Sequence, residues 1–261
     1  MHKTAGFYSY AELYFRVRTP DPTEVEDVVR LIRQHARRPL RRLLDPTCGP
    51  GNWLHPLSKH GFEVAGVDNS AEMCAFARSI IPHADIRHAD SFDPAYAWPH
   101  ADCVFELAGV LSIFLEGDGL RNFLSHAADC VPTGGVAAFT VFGMPDNPHQ
   151  KDEDVHWRSD RVMADGMHVH VEYRSLEIDP VRRTELMRRT IVAGSEDEAQ
   201  IISDDSYTLK LYNHEDLAAL KALAEELGFE FREYFDPNER APFQDHGGPL
   251  PHNFILLFTR R

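Results

Sequence analysis

Residues 43–53 read LLDPTCGPGNW and join a short apolar run to a turn with two glycines. The apolar run predicts a strand over 41–45, and the residues from Asn52 to His60 predict a helix that ends at Gly61. The two glycines allow the backbone to approach a ligand closely, and the first N–H groups of the helix are free to bind it. The stretch therefore predicts a ligand-binding turn between a strand and a helix.

Strands and helices alternate on both sides of this turn. Thr23, with Glu26 three residues later, is the expected cap of the first helix. The run 136–142 holds seven apolar or small residues, which is typical of a central strand buried on both faces. Such alternation predicts an α/β fold with a doubly wound, mostly parallel sheet. The expected strands are 41–45, 62–68, 84–88, 101–107 and 136–142, and the expected helices are 24–38, 52–60, 70–80 and 120–130.

The pattern changes after residue 148. Residues 155–178 and 184–193 alternate polar and apolar side chains, and 207–212 is a further short strand, which together predict an antiparallel sheet. The helix 214–227 and the strands 229–234 and 254–259 then return to the first sheet. We therefore expect three parts: an N-terminal lid over 1–22, a cofactor-binding domain over 23–148 and 212–261, and an antiparallel insert that caps the substrate over 149–211.

Composition and charge limit the partners. The 27 Lys and Arg residues stand against 41 Asp and Glu residues, a net charge of −14, which disfavours nucleic acid as the main partner. No stretch approaches the roughly 18 apolar residues of a membrane helix, and residues 1–14 lack the pattern of a secretory signal. The four cysteines show no CxxC spacing, which predicts reduced thiols in a cytoplasmic protein. We expect a small-molecule substrate and no membrane partner.

Acidic residues follow three successive strands at nearly equal spacing. Asp45 ends the first strand, Asp68 ends the second, and Asp90 follows the third. A carboxylate at the position of Asp68 is the usual ligand of the two hydroxyls of an adenosine ribose. A carboxylate at Asp90 can accept a hydrogen bond from an adenine amino group. The three acids together favour an adenosine-containing cofactor over simple helix capping.

At these motifs the sequence resembles the class I S-adenosylmethionine-dependent methyltransferases of small molecules, over about 41–142 and 214–259. Residues 45–51 resemble the first motif of the family, although Thr47 stands where a glycine is common. The resemblance implies a seven-stranded Rossmann-like sheet and S-adenosyl-L-methionine as cofactor. It also implies that Met73 lies against the adenine and that residues 105–111 pass under the methionine part. The cofactor-binding residues that it implies are Asp45, Thr47, Cys48, Gly49, Gly51, Asp68, Asn69, Met73, Asp90, Ser91, Phe92, Glu106 and Leu107.

A nicotinamide dehydrogenase is the alternative for the same half of the chain. Its fingerprint needs a third glycine to bring helix and strand into close contact, and this chain has Leu54 at that position. The methyltransferase interpretation is therefore favoured.

The N-terminus is rich in aromatic residues. In methyltransferases of similar layout an N-terminal segment folds over the cofactor, which makes Tyr14 a candidate for the methionine carboxylate and for catalysis, and Arg18 a partner of that carboxylate. The alternative is an aromatic cluster that only holds a helix on the core. The candidate substrate-binding residues are Tyr8, Tyr10, Phe114 and Tyr173.

Two histidines in the insert share one face of a predicted strand. His168 and His170 lie two residues apart, with Met167, Val169 and Val171 on the opposite face. If the polar face is turned to the substrate, either histidine is a candidate general base; the alternative is that both face water. We expect no metal site, because the spacing offers no third ligand.

These observations lead to one expected function and two alternatives. We expect methyl transfer to a small molecule, with an amine as the favoured nucleophile because a strongly negative protein attracts a cation. An O-methyltransferase of a phenol or sugar hydroxyl is one alternative, and a catalytically silent cofactor-binding protein is the other. The sequence does not indicate the oligomeric state.

Overall fold

The structure, a computed structural model, describes residues 10–113, 118–146, 155–163, 165–195, 199–245 and 247–261. Within these ranges a mixed sheet is flanked by helices, and an antiparallel sheet is inserted after the fifth strand. The helices are α1 (Ala11–Arg18), α2 (Pro22–His35), α3 (Leu54–Lys59), α4 (Ala71–Ile80), α5 (Gly119–Cys130) and α6 (His214–Glu226). The strands are β1 (Arg42–Asp45), β2 (Glu63–Asp68), β3 (Asp85–His88), β4 (Cys103–Glu106), β5 (Val136–Phe142), β6 (Val155–Val162), β7 (His168–Asp179), β8 (Thr184–Gly194), β9 (Ala199–Lys210), β10 (Phe229–Asp236), β11 (Ala241–Phe243) and β12 (Asn253–Arg260).

The main sheet has the strand order β11-β10-β12-β5-β4-β1-β2-β3. Strands β1 to β5 are parallel, whereas β12 pairs antiparallel with β5 and β10 pairs antiparallel with β12. The chain order reverses between β1 and β4, and ligands of such sheets bind at the carboxyl ends of the strands beside this switch point. The doubly wound, mostly parallel fold is confirmed. The described residues add an eighth strand, since the three-residue β11 extends the edge beyond the seven predicted.

The first helix of the main domain begins before the predicted cap. Asp21 Oδ1 accepts hydrogen bonds from the backbone N–H groups of Thr23 and Glu24, and the Glu24 side chain accepts one from Asp21 N. Pro22 is the first helical residue, where its missing N–H costs nothing. The prediction of Thr23 as the cap is therefore wrong: the cap is Asp21, and its partner in the capping box is Glu24.

The inserted sheet, called the cap sheet below, has the order β6-β7-β8-β9. The side of the cap sheet that we call the inner face packs on α1, where Val169, Val171 and Ile191 form an apolar cluster with Leu13 and Val17. The outer face carries charged side chains in ion pairs. The last strand begins at Ala199, whereas the predicted strand began at residue 207. Asp204 and Asp205 interrupt the apolar alternation by which the first half of the strand could have been recognised.

Two further predictions concern helices and cysteines. No helix in the described part of the chain is long and apolar enough to cross a membrane. All four cysteines are buried and free of disulfide bonds, as expected from their spacing.

Candidate functional site

Acidic side chains meet at the carboxyl edge of the main sheet. Asp45, Asp68 and Glu106 are the last residues of β1, β2 and β4, which are neighbours around the switch point. Asp45 is 5% exposed and Glu106 is fully buried. The topology thus brings together three acids that are 61 residues apart at most in the sequence.

The glycine turn lies directly beside these acids. Asp68 Oδ2 accepts a hydrogen bond of 2.8 Å from Gly49 N, and Asp68 Oδ1 accepts one of 2.9 Å from Ser70 N. Gly49 and Gly51 both adopt the left-handed region, with φ of +53° and +88°. A Cβ on Gly49 would meet its nearest neighbour at 3.9 Å, whereas one on Gly51 would lie 3.1 Å from Ile81 Cδ1. Gly49 therefore borders open space, whereas Gly51 lies closely against Ile81.

The other residues of the turn divide between core and surface. Cys48 is buried, and its Sγ lies 2.6 Å from the place that a Cβ on Gly66 would take, so the thiol belongs to the core. Burial raises the pKa of this thiol well above its ordinary value. Thr47 is half-buried, and its backbone N–H donates a 3.0 Å hydrogen bond to Asp45 Oδ1. At the turn itself, Thr47 and Gly49 keep exposed surface.

Burial governs the charge of two of the acids. It raises the pKa of Asp45 to about 7 against the hydrogen bonds from Thr47, with the nearby Asp68 carboxylate as a further cause. It raises the pKa of Glu106 to about 8. Both oxygens of Glu106 accept backbone hydrogen bonds, from Ala108 N at 2.6 Å and Val110 N at 2.9 Å. The structure thus places Glu106 beneath its own loop, where it fastens the backbone.

Asp68 differs from these two acids because its carboxylate stays close to the surface of the turn. Burial raises its pKa, while hydrogen bonds from Ser70 N and Gly49 N oppose the increase. Each oxygen has one described backbone donor and retains acceptor capacity for a further hydroxyl group. This is the arrangement expected for a ribose ligand.

The predicted cofactor residues that follow Asp68 and Glu106 in the sequence differ in their exposure. Asn69 is exposed, and its carbonyl oxygen lies 3.2 Å from His88 Nε2. Met73 has no exposed surface, so the described side chain offers no face to an adenine ring. Leu107 is half-buried and packs against the core cluster of α2 and β1.

The predicted adenine edge forms a tight turn after β3. Asp90 is exposed and its Oδ1 accepts a 2.9 Å hydrogen bond from Phe92 N, which leaves Oδ2 for another donor. Ser91 is buried, and its carbonyl oxygen accepts a 3.0 Å hydrogen bond from Trp98 Nε1. The ring of Phe92 packs 5.8 Å from that of Phe123. Trp98 could not be selected from the sequence, because a single tryptophan in a loop carries no spacing signal.

Helix α1 lies between the glycine turn and the cap sheet. Toward the main domain, the Phe15 ring lies 5.4 Å from His55 and 5.6 Å from Phe76. Toward the cap, the Arg18 guanidinium lies 4.8 Å from the Trp157 ring centre and 5.5 Å from that of Tyr173.

Arg18 joins several of the predicted residues. Burial lowers the pKa of Arg18, but the nearby hydroxyls of Tyr173, Tyr14 and Tyr207, together with a hydrogen bond to Tyr14, keep that pKa above its ordinary value. Three predicted residues, Tyr14, Arg18 and Tyr173, therefore meet at the interface between α1 and the cap sheet. Tyr207 was missed, because the sequence predicted its strand without indicating which way its side chains point.

The remaining substrate candidates do not meet there. Tyr10 is 41% exposed and lines a groove of about 520 Å³ whose walls come from α1 and the far end of the cap sheet. Tyr8 and Phe114 lie outside the described residues.

The structure does not bring the two histidines of β7 to the glycine turn. Their neighbours Val169 and Val171 contact α1, so His168 and His170 point to the outer face of the cap sheet. His170 Nδ1 lies 2.5 Å from Asp160 Oδ1 on the adjacent strand. The thickness of the sheet therefore separates both candidates for the general base from Asp68. Within the described ranges no group of three potential ligands could hold a metal ion.

A family model described as a methyltransferase domain matches residues 43–135, which include the glycine turn, Asp68 and the loop after β4. The chain contains a methyltransferase domain. This finding confirms the predicted methyltransferase class over the dehydrogenase alternative, and together with the S-adenosylmethionine-bound neighbour described below it supports S-adenosyl-L-methionine as the cofactor.

Similar proteins extend the comparison. The chain is 32% identical over 127 residues to a dTDP-3-amino-3,6-dideoxy-alpha-D-glucopyranose N,N-dimethyltransferase of Streptomyces fradiae. The aligned region is 48% of this chain and 48% of the relative. The chain spans about half the length of the curated relatives it matches.

Solved structures match nearly the whole chain. The sugar N-methyltransferase KedS8 from Streptoalloteichus has a TM-score of 0.70 at 26% identity, covering 96% of this chain and 92% of that chain. The S-adenosylmethionine-bound CalS10 of Micromonospora echinaspora, an amino pentose methyltransferase, has a TM-score of 0.70 at 23% identity over the full length of both chains. These likenesses confirm the Rossmann-like fold together with its antiparallel insert.

Proposed function

We propose that this methyltransferase transfers a methyl group from S-adenosyl-L-methionine to the amino group of a small molecule, and that the substrate is a nucleotide-activated amino sugar. The Streptomyces relative is named for such a substrate, and KedS8 is named as a sugar N-methyltransferase.

The observation that carries the proposal is the contact between Asp68 and Gly49 at the edge of open space. Asp68 holds the turn by one backbone N–H and retains acceptor capacity for ribose hydroxyls. The space above Gly49 suits the methionine part, because a Cβ there would meet nothing closer than 3.9 Å. We assign the adenine to the turn of Asp90 and Phe92.

The aromatic interface of α1 completes the cofactor site in this proposal. Arg18 has aromatic neighbours, and no carboxylate of the described residues forms an ion pair with it. We assign Arg18 and Tyr14 to the carboxylate of the cofactor, and Tyr173 to the wall of the substrate pocket. The four buried, free thiols support a cytoplasmic enzyme.

The cofactor supplies an electrophilic methyl group on a sulfonium. The protein has to hold an unprotonated amine in line with the breaking C–S bond, and such positioning is worth roughly 7–11 kcal/mol in favourable cases. The site would hold the amine after its ammonium proton has passed to solvent, and the bound cofactor would supply the methyl group for the new N–C bond while its sulfur kept the electrons of the broken C–S bond. His168 and His170 have no part in this scheme.

A product analysis tests the proposal. The purified chain is incubated with S-adenosyl-L-methionine and a thymidine-diphosphate 3-amino-3,6-dideoxy sugar, with the matching 3-hydroxy sugar as control. We expect S-adenosylhomocysteine and a product with one or two methyl groups on nitrogen from the amino sugar alone. Methylation of the hydroxy sugar would favour the O-methyltransferase, and binding of S-adenosylhomocysteine without turnover of any amine would favour a silent cofactor-binding protein.

A further inference from the structure

Asn52 is a buried polar residue that joins the glycine turn to helix α1. It directly follows Gly51 and is 7% exposed. Its side-chain nitrogen Nδ2 lies 3.1 Å from Phe15 O, 3.3 Å from Thr19 Oγ1 and 3.4 Å from Tyr14 O. All of these acceptors belong to the last turn of α1 or to its C-terminal cap.

The contact adds a side-chain donor from the main domain at the C-terminal end of the helix. Phe15 O already accepts hydrogen bonds from the backbone N–H and the hydroxyl of Thr19, and Asn52 Nδ2 is its third donor. The Phe15 ring packs against His55 and Phe76, which attaches α1 to the main domain. Hydrogen bonds are directional, so the Asn52 amide adds a constraint on the rotation of the helix about its axis.

The same side chain also faces the cofactor side of the turn. Asn52 Oδ1 is the nearest atom to the position of a Cβ on Gly49, at 3.9 Å. One amide group therefore touches α1 with its nitrogen and borders the open space above Gly49 with its oxygen. Tyr14 and Arg18 lie on the helix that this amide contacts.

We propose that Asn52 is a positioning residue that sets α1 in register with the glycine turn, so that Tyr14 and Arg18 close over the methionine part of the cofactor. This inference rests on the proposed function, since it assigns those two residues to the cofactor. In this arrangement a change at Asn52 acts on cofactor affinity through α1 and leaves the acids of the turn in place.

Binding and hydrogen exchange test the proposal with the full chain. Calorimetry with S-adenosylhomocysteine is carried out on the wild type and on Asn52→Ala, with Asn238→Ala as the matched control. Asn238 also donates an amide hydrogen bond, to Asn253 Oδ1 at 3.2 Å, but on an exposed turn after β10. We expect about tenfold weaker binding for Asn52→Ala, wild-type affinity for the control, and faster amide exchange confined to α1.

A double-mutant comparison separates positioning from general packing. In an Arg18→Ala background, Asn52→Ala is expected to cost less than about threefold in affinity, because the residue it positions is already missing. If Asn52→Ala does not fold, Thr19→Val removes one acceptor of the same amide and leaves the glycine turn intact; it is expected to weaken binding by about twofold to threefold.

The outcomes distinguish this inference from the proposed function. A wild-type chain that does not bind S-adenosylhomocysteine overturns the proposed function, whereas the exchange of α1 amides still reports on Asn52. Wild-type affinity or unchanged α1 exchange in Asn52→Ala overturns the positioning role. An undiminished tenfold effect in the Arg18→Ala background overturns it as well, because the residue would then act without Arg18.

Discussion

The main sheet and the cap sheet use the same polar residue types in opposite ways. At the carboxyl edge of the main sheet, Asp45 and Glu106 are buried, and their pKa values are raised to about 7 and about 8. On the outer face of the cap sheet, Asp160 lies beside His170 and Asp204 beside Arg188, both in largely exposed pairs. A polar residue at a parallel strand end is held by backbone N–H groups, whereas one on an antiparallel strand is paired with a side chain on the next strand.

The difference follows from how each sheet is covered. Strands of the parallel sheet are buried on both faces, so a polar side chain can remain only at their ends, beside the switch point. The cap sheet buries one face against α1 and leaves the other to water, so polar residues can occupy every second position. Position in the topology, more than residue type, separates the site from the surface.

The largest expected effect is the loss of cofactor affinity in Asp68→Ala. Two ribose hydrogen bonds to a charged acceptor are worth about 1.5–3 kcal/mol each, so the Kd for S-adenosylhomocysteine should rise by at least about 100-fold. Calorimetry measures it, with Asp160→Ala as the control because that aspartate is 69% exposed on the cap sheet. Equal affinity in Asp68→Ala and the wild type would remove Asp68 from the site.

The second prediction concerns the pH dependence of stability. Between the ordinary carboxyl pKa of 3.8 and the raised pKa of about 7, folded Asp45 holds a proton that the unfolded chain releases. The free energy of unfolding therefore falls as the pH rises through this interval, by up to about 1.4 kcal/mol per pH unit, and Glu106 adds a similar slope up to about pH 8.

Asp45→Asn isolates the contribution of Asp45. The two hydrogen bonds from Thr47 reach the same oxygen, Oδ1, so an asparagine can keep both of them. Urea unfolding at pH 5, 6 and 7 should give a shallower slope for this variant than for the wild type, while Asp160→Asn should follow the wild type. Parallel slopes for Asp45→Asn and the wild type would mean that Asp45 is ionised throughout.

The third prediction separates the two glycines of the turn. Both have positive φ, so alanine at either position costs about 1–2 kcal/mol of stability. Gly51→Ala adds a close contact with Ile81, whereas Gly49→Ala adds a methyl group to open space. Thermal unfolding should show the larger loss for Gly51→Ala, and calorimetry should show the larger loss of cofactor affinity for Gly49→Ala. The reverse order would place the cofactor elsewhere.

These glycines also show how far the sequence could lead. The parallel sheet was predictable strand by strand, because buried strands are continuous apolar runs and the turns between them carry glycine, proline or a helix cap. The short β11 was not, since three residues around Pro242 have no alternation. The start of β9 was hidden by the adjacent acids Asp204 and Asp205, which interrupt the apolar alternation of the strand.

The site was predictable to a lesser degree. The position of Asp68 beside Gly49 follows from strand order, and the family match confirms that the domain is a methyltransferase. Asn52 carried no signal, because its partners lie 33 to 38 residues earlier in the chain, on α1. Alternation correctly put His168 and His170 on one face of β7, but periodicity cannot decide which face turns inward.

The smallest expected effect tests that last point. Asp160 and His170 are 69% and 37% exposed, and ion pairs at exposed positions contribute only about 0.2–1 kcal/mol. We therefore expect His170→Gln and His168→Gln to retain wild-type turnover and a melting temperature within a few degrees. A tenfold loss of kcat in either variant, with cofactor affinity unchanged, would contradict the separation of the two faces. Since the inner face is fixed on α1 by Val169 and Val171, such a loss would require the outer face of the cap sheet to reach the reacting atoms of another molecule.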